Sequence, residues 1–246
     1  IGTIQSNSGS IVMLELVKLF TSLQRKYNWS PARLIYFVLF DGSEYNMAGL
    51  TEWIESRRDL IEKEGYAYID LSDLVSGDTL EIKSHPILQE ALQSALLDFK
   101  LKDNKSFLNF FHEQKLELGK PQFSNEFLEL KNYIPFINLL NIPSLEIRFT
   151  GQKYPKGSCL DNFKHFELSG IDPNMEKHKM IVEAIARVTL YLAETPFVPY
   201  NFEVFSRSLL EYLQDLENFA KETAASHKTT ESTSLKFDGL SSAIKE

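Results

Sequence analysis

The segment from Arg33 to Ser56 constrains this chain more than any other. Leu34 to Phe40 is an unbroken apolar run, rich in aromatic and β-branched side chains. Such a run, bounded by polar residues, reads as a strand buried on both faces of a parallel sheet. Asp41-Gly42-Ser43-Glu44 follows as a short polar turn. From Met47 the apolar residues Met47, Leu50 and Ile54 recur at helical spacing, with Trp53 beside them. The order is strand, loop, helix. The polar loop then lies at the carboxyl end of a strand, where open α/β sheets place their sites. Asp41 to Glu44 is the first place to look for chemistry.

The remainder alternates in the same way. Gly9 to Lys26 reads as an amphipathic helix, with Val12, Leu16, Leu19 and Leu23 on one side and Ser8 or Ser10 as its cap. The helix from Met47 is predicted to run to about Lys63, with Gly65 stopping it. Tyr66 to Asp70, Thr79 to Lys83 and Ser144 to Phe149 read as strands, the second at an edge. Pro86 opens a helix to about Phe99, and Tyr133 to Leu140 and Pro173 to Glu194 read as two more. Lys100 to Glu126 is polar and irregular apart from an apolar patch at Phe107 to Phe111, and Gly151 to Gly170 is a long loop. The alternation predicts an α/β fold, a mostly parallel twisted sheet flanked by helices. Pro196 and Pro199 break the chain, which places a boundary between an α/β domain, 1–197, and the start of a helical domain, 198–246. The second part holds an amphipathic helix at Phe202 to Lys221, a Ser/Thr-rich linker at Ala225 to Ser234, and a helical last dozen residues.

Composition excludes several classes of function. A net charge of −8, with no basic run interleaved with aromatics, argues against a nucleic-acid surface. No apolar stretch approaches the roughly 20 residues of a membrane span. The lone Cys159 has no internal disulfide partner and reads as a small buried or half-buried side chain. Asn28-Trp29-Ser30 and Asn104-Lys105-Ser106 match the N-glycosylation triplet. The first residue is Ile rather than Met, and the chain reads as a piece of a longer protein. His112-Glu113 opens like a zinc-binding His-Glu-x-x-His, but Leu116 ends the match. Ser43, Ser72 and Ser158 lie outside any Gly-x-Ser-x-Gly motif, which argues against a serine nucleophile. The remaining histidines, at 85, 165, 178 and 227, read as surface or capping residues.

The pattern Phe-x-x-Phe-Asp-x-x-Glu-(x)4-Gly-x-Thr-Glu-Trp, from Phe37 to Trp53, resembles the segment of the M28 metallopeptidase superfamily that carries the catalytic carboxylates. It is most similar to the branch of glutamate carboxypeptidase II and the transferrin receptor, and the rest of the chain follows that pattern in order. The resemblance implies the second half of a peptidase-like domain followed by the first helices of a dimerising helical domain. It also implies that the first strands of the fold lie upstream of Ile1. Enzymes of that branch read Asp-Ala-Glu-Glu-Phe-Gly, in which the first Glu is the general base and the second a zinc ligand. Here these positions are Ser43 and Glu44. The bridging aspartate of the family falls on Gln5, the next aspartate on Ser72, and the last histidine, which follows a Tyr-Pro pair, on Ser158.

Four of these five positions are therefore neutral side chains. Two zinc ions need several anionic or imidazole ligands, and hydrolysis needs a proton acceptor beside the bridging water. The expectation is an inactive homologue, with Gln5, Ser43, Glu44, Ser72 and Ser158 as a vestigial site and no cofactor. The resemblance further implies a non-catalytic ectodomain of a type II membrane glycoprotein that binds protein partners in membrane traffic and forms a homodimer. It would stand on the lumenal or extracellular side of a secretory, endosomal, vacuolar or plasma membrane, anchored outside this segment, with glycans at Asn28 and Asn104. Phe205, Leu209, Leu213 and Leu216 would be core or inter-domain packing, or part of the dimer interface. One alternative is a working zinc amino- or carboxypeptidase whose register is slipped, so that Asp70 or Asp73 and nearby histidines are ligands. Another is a cytosolic interaction module.

Overall fold

The computed structural model describes residues 2–118, 123–226 and 237–245. Two compact units divide at Pro199, the first Ile1–Pro199 and the second Tyr200–Glu246. The first holds helices α1 (Asn7–Tyr27), α2 (Ala48–Glu55), α3 (Arg58–Glu64), α4 (Gln89–Leu96), α5 (Phe107–Glu117), α6 (Tyr133–Leu140), α7 (Phe163–Ser169) and α8 (Glu176–Glu194). Its strands are β1 (Tyr68–Asp70), β2 (Thr79–Ser84) and β3 (Ser144–Thr150), and a 3-10 turn at Pro86–Leu88 leads into α4. The second unit holds α9 (Phe202–Ser226) and α10 (Asp238–Lys245), with the Ser206 hydroxyl donating to the Ile244 carbonyl. Of the Ser/Thr-rich linker, residues 227–234 lie outside the described residues.

The sheet has the order β1-β3-β2, with β1 parallel and β2 antiparallel to β3. One of its two pairings is thus antiparallel, against the mostly parallel sheet expected. Alternation along β2 and β3 separates two faces. Leu80, Ile82, Leu145, Ile147 and Phe149 are buried on one face. Glu81, Lys83, Glu146 and Arg148 stand on the other, where the register sets Glu81 opposite Arg148 and Lys83 opposite Glu146. Helix α8 packs on α1, α4 and β3, and α6 packs on β1 and β3. Tyr68 stacks on Phe136 with ring centroids 3.9 Å apart.

The largest departure from expectation is Leu34 to Phe40. The segment is not a ladder strand, and no backbone N–H or carbonyl in it bonds to another backbone group among the described residues. Phe37 packs on Phe20 and Phe40 on Trp53, at 5.8 and 5.5 Å between centroids. Leu34, Tyr36 and Leu39 remain 72, 62 and 65 % exposed. A strand is buried on both faces only when neighbours flank it, and among the described residues none pairs with this one.

Smaller corrections have local causes. The predicted helix from Met47 breaks at Ser56–Arg57, where the Ser56 hydroxyl bonds back to the Trp53 carbonyl at 3.0 Å and Arg57 leaves helical geometry. Both halves still bury apolar residues in one cluster, Leu50, Ile54 and Ile61 with Phe136 and Leu140. Neither Ser8 nor Ser10 caps α1. Their hydroxyls donate to the carbonyls of Ile4 and Ser6, at 2.6 and 2.8 Å. The apolar patch at Phe107 is a full helix, α5, whose buried Phe107, Leu108 and Phe111 span too few turns to show a period. Part of the predicted 151–170 loop is helical, α7, capped by the Asn162 side chain.

Candidate functional site

Four loops meet beyond the carboxyl ends of the 34–40 segment and β1. Each is shaped by its own short-range bonds. The Asp41 carboxylate accepts from the Gly42 N–H at 2.8 Å, and Gly42 has φ 68°, a left-handed conformation suited to glycine. The N-terminal loop is clamped by buried Asp161, whose carboxylate accepts from the N–H groups of Ile4 and Gln5, at 2.9 and 3.2 Å. After β1, the Ser72 N–H donates to Asp70 at 2.8 Å. In the fourth loop the Ser158 hydroxyl donates to the Pro155 carbonyl at 2.8 Å and accepts from the Leu160 N–H.

These loops bring all five sequence candidates together. Gln5, Ser43, Glu44, Ser72 and Ser158 line one cavity of about 1540 Å³. The Gln5 side-chain amide donates to the Glu44 carboxylate. The Lys156 ammonium, two residues before Ser158, stands between two carboxylates, 3.9 Å from Glu44 and 3.6 Å from Asp73. Among the described residues no histidine lines the cavity. Asp70 is fully buried and is not part of that lining. It accepts from Ser72 N–H and from the Tyr68 hydroxyl at 3.3 Å. The slipped register therefore gains Asp73 at the cavity but not Asp70.

The donor set does not fit a zinc pair. Around the five positions it offers the carboxylates of Asp41, Glu44 and Asp73, one amide and three hydroxyls, with a lysine ammonium already against Glu44 and Asp73. Among the described residues no group of three or more His, Cys, Asp or Glu is placed to hold a metal ion. Nor, among the described residues, does any serine of the cavity have beside it the histidine that a hydroxyl nucleophile requires.

Sequence reasoning missed two features. Lys156 is one; its place in Tyr-Pro-Lys-Gly-Ser gives no sign that it faces Glu44. The other is an ionic layer on the sheet. Arg148 bonds Glu81 and makes a two-pronged contact with Glu129, at 2.7, 2.9 and 2.5 Å. Lys83 bonds Glu129 at 2.8 Å, and buried Lys131 pairs with fully buried Glu146. Hydrogen bonds from Arg148 hold the Glu129 carboxyl far below the usual carboxylate range, while burial pushes Glu146 up. The alternation in Thr-Leu-Glu-Ile-Lys-Ser and Ser-Leu-Glu-Ile-Arg-Phe carried that signal. Cys159 is exposed, contrary to expectation, because it sits on the outer loop beside Ser158. His178 is buried rather than at the surface, its Nδ1 2.7 Å from Asp172.

No family model matches the chain. Over an alignment that covers 99% of this chain, it is 27% identical to a probable glutamate carboxypeptidase, LAMP1, of Arabidopsis thaliana. The chain is a homologue of the glutamate carboxypeptidase-like proteins. This homologue also matches TRE1 of Saccharomyces cerevisiae, named an uncharacterized protein, at 28% identity over 90% of the chain. A third relative, in Schizosaccharomyces pombe, is named an inactive zinc metalloprotease and is 24% identical over 82% of the chain. The relatives thus include proteins named as carboxypeptidases and as inactive, in agreement with the inactive M28, transferrin-receptor-like branch that the motif indicates. The homologue spans only 35, 27 and 25% of the lengths of these three relatives.

Proposed function

We propose that this glutamate carboxypeptidase-like homologue is a scaffold without peptidase activity, and that the protein carrying it binds protein partners in membrane traffic. One observation carries the first half. The five positions that the resemblance assigns to the metals and base are Gln5, Ser43, Glu44, Ser72 and Ser158, all in the lining of one cavity, with Lys156 set against Glu44 and Asp73. A neutral serine near pH 7 neither holds zinc strongly nor takes a proton from water. The name of the Schizosaccharomyces pombe relative supports the same reading. The role in traffic, homodimerisation and a lumenal or extracellular setting rest on the transferrin-receptor-like resemblance.

The test is elemental analysis of protein dialysed against zinc and then against buffer, with a peptidase assay on peptides ending in glutamate and on aminoacyl substrates. Near-zero zinc per chain and no chelator-sensitive hydrolysis are expected. One or two zinc ions per chain with turnover abolished by chelator would establish the working peptidase instead, with Asp73 as the first ligand to substitute.

A further inference from the structure

Negative charge converges on the vestigial site from three loops. Asp41, Glu44 and Asp73 line the cavity, and the Asp161 carboxylate stands nearby on the N–H groups of Ile4 and Gln5. A neighbouring side chain feels this field: burial first, and then the charges of Asp73, Asp161 and Glu44, push the Tyr154 hydroxyl up. Carboxylates gathered from separate loops repel one another, and a cation among them relieves that repulsion.

Lys156 brings such a cation. Its ammonium lies 3.6 Å from Asp73 and 3.9 Å from Glu44. The other cations of the cavity lining are engaged elsewhere. Arg33 donates to the Leu192 carbonyl at the end of α8, Arg57 lies over the Trp53 ring, and Lys131 pairs with Glu146. A tight turn fixes where the lysine starts. The Ser158 N–H and hydroxyl both donate to the Pro155 carbonyl, at 3.2 and 2.8 Å, and Gly157 between them has φ 73°. A Cβ on Gly157 would meet nothing within 4 Å, so the left-handed conformation rather than space calls for glycine there. The side chains of Lys156 and Glu44 are 49 and 66% exposed. Ion pairs so exposed add little to folding, so what Lys156 supplies is a charge at a fixed place.

We propose that Lys156 is the resident cation of this site: its covalently held ammonium stands among the carboxylates where the resemblance puts a metal, and keeps divalent ions out. The proposal rests on the reading of the chain as a scaffold without peptidase activity. The oxygen donors around the ammonium, from carboxylates, an amide and hydroxyls, suit a hard divalent ion such as Mn2+. Such an ion enters only by displacing the ammonium, and a tethered group returns at high effective concentration.

The test is Mn2+ binding by electron paramagnetic resonance, with melting curves in the presence and absence of MnCl2. It compares the full-length protein with its Lys156→Ala and Lys156→Arg forms. Lys156→Ala is expected to bind one Mn2+ at least about tenfold more tightly than the unsubstituted protein. Its melting temperature should rise with MnCl2, while that of the unsubstituted protein stays fixed. Lys156→Arg keeps the charge and should match the unsubstituted protein. Adding Glu44→Gln to Lys156→Ala should abolish the gain. Equal Mn2+ binding by the unsubstituted and Lys156→Ala forms overturns the proposal. So does a gain in Lys156→Arg as large as in Lys156→Ala, which would make the side chain a steric plug, or a gain that survives Glu44→Gln. Zinc with chelator-sensitive turnover in the unsubstituted protein would instead sink the scaffold reading itself, whereas a failure of Mn2+ to discriminate, without turnover, sinks this proposal alone.

Discussion

Gly9 is the residue where space decides most. A Cβ there would lie 1.5 Å from the Leu71 carbonyl oxygen, so α1 reaches the loop after β1 only because position 9 has no side chain. Gly9→Ala should destabilise the fold by about 3 kcal/mol through forced backbone movement, read as a lower urea midpoint. Glu129 sets a pH dependence. Hydrogen bonds from Arg148 first, and from Lys83 next, lower its folded-state pKa far below the ordinary 4.5. A depressed carboxyl contributes stability above its unfolded value and loses it as pH falls toward the folded one. Thermal unfolding followed from pH 5 down to pH 3 should therefore show a falling midpoint, and Glu129→Gln should flatten that fall while lowering the midpoint at pH 7. An unchanged slope would show that Glu129 does not couple to folding. At this scale the sequence named residues that share one cavity. The positions of Gln5, Ser43, Glu44, Ser72 and Ser158 follow from motif spacing, and they do converge. Lys156 was not legible, because only the path of the 151–162 loop turns it toward Glu44.

At the scale of elements, the entry to the 34–40 segment is held by one side chain. The Arg33 guanidinium donates to the carbonyls of Leu192, Thr195 and Pro196, at 3.0, 2.5 and 3.2 Å, and so caps the C-terminal end of α8. Arg33→Ala leaves those acceptors without a cationic donor and should cost about 2 kcal/mol. Arg33→Lys, with one ammonium in place of a planar fork, should recover only part of that in the same denaturation series. The apolar run after Arg33 announced a buried strand, and the structure has no ladder there. Its pairing was not in the run itself, because a ladder is a property of two chains side by side. The three short strands were found from composition, but the direction of β2 was not. A six-residue alternating strand reads alike in either orientation, and only its hydrogen bonds to β3 make it antiparallel. The break between α2 and α3 likewise escaped the sequence, since apolar spacing continues across Ser56–Arg57 toward one cluster.

At the scale of the whole molecule, Asn28 and Asn104 test where the protein resides. Both lie on exposed turns with positive φ, 51° and 63°, clear of the buried core. Made as the full-length protein in a eukaryotic cell, it should shift in mass on glycosidase treatment, and Asn28→Gln and Asn104→Gln should each remove one step. No shift would favour the cytosolic interaction module. No helix among the described residues is long and apolar enough to cross a membrane. The sequence by itself determined the α/β alternation, the order of the helices and the identity of Gln5, Ser43, Glu44, Ser72 and Ser158 at the positions that the motif singles out. These are local properties, set by side-chain period, turn chemistry and motif spacing. Only the tertiary structure decided that Lys156 stands against Glu44 and Asp73, that a charged layer joins Glu129 and Lys131 to the sheet, and that Leu34–Phe40 lines the same cavity as the five positions. Each of these depends on which distant segments lie within a few ångströms of one another, and no local pattern encodes that distance.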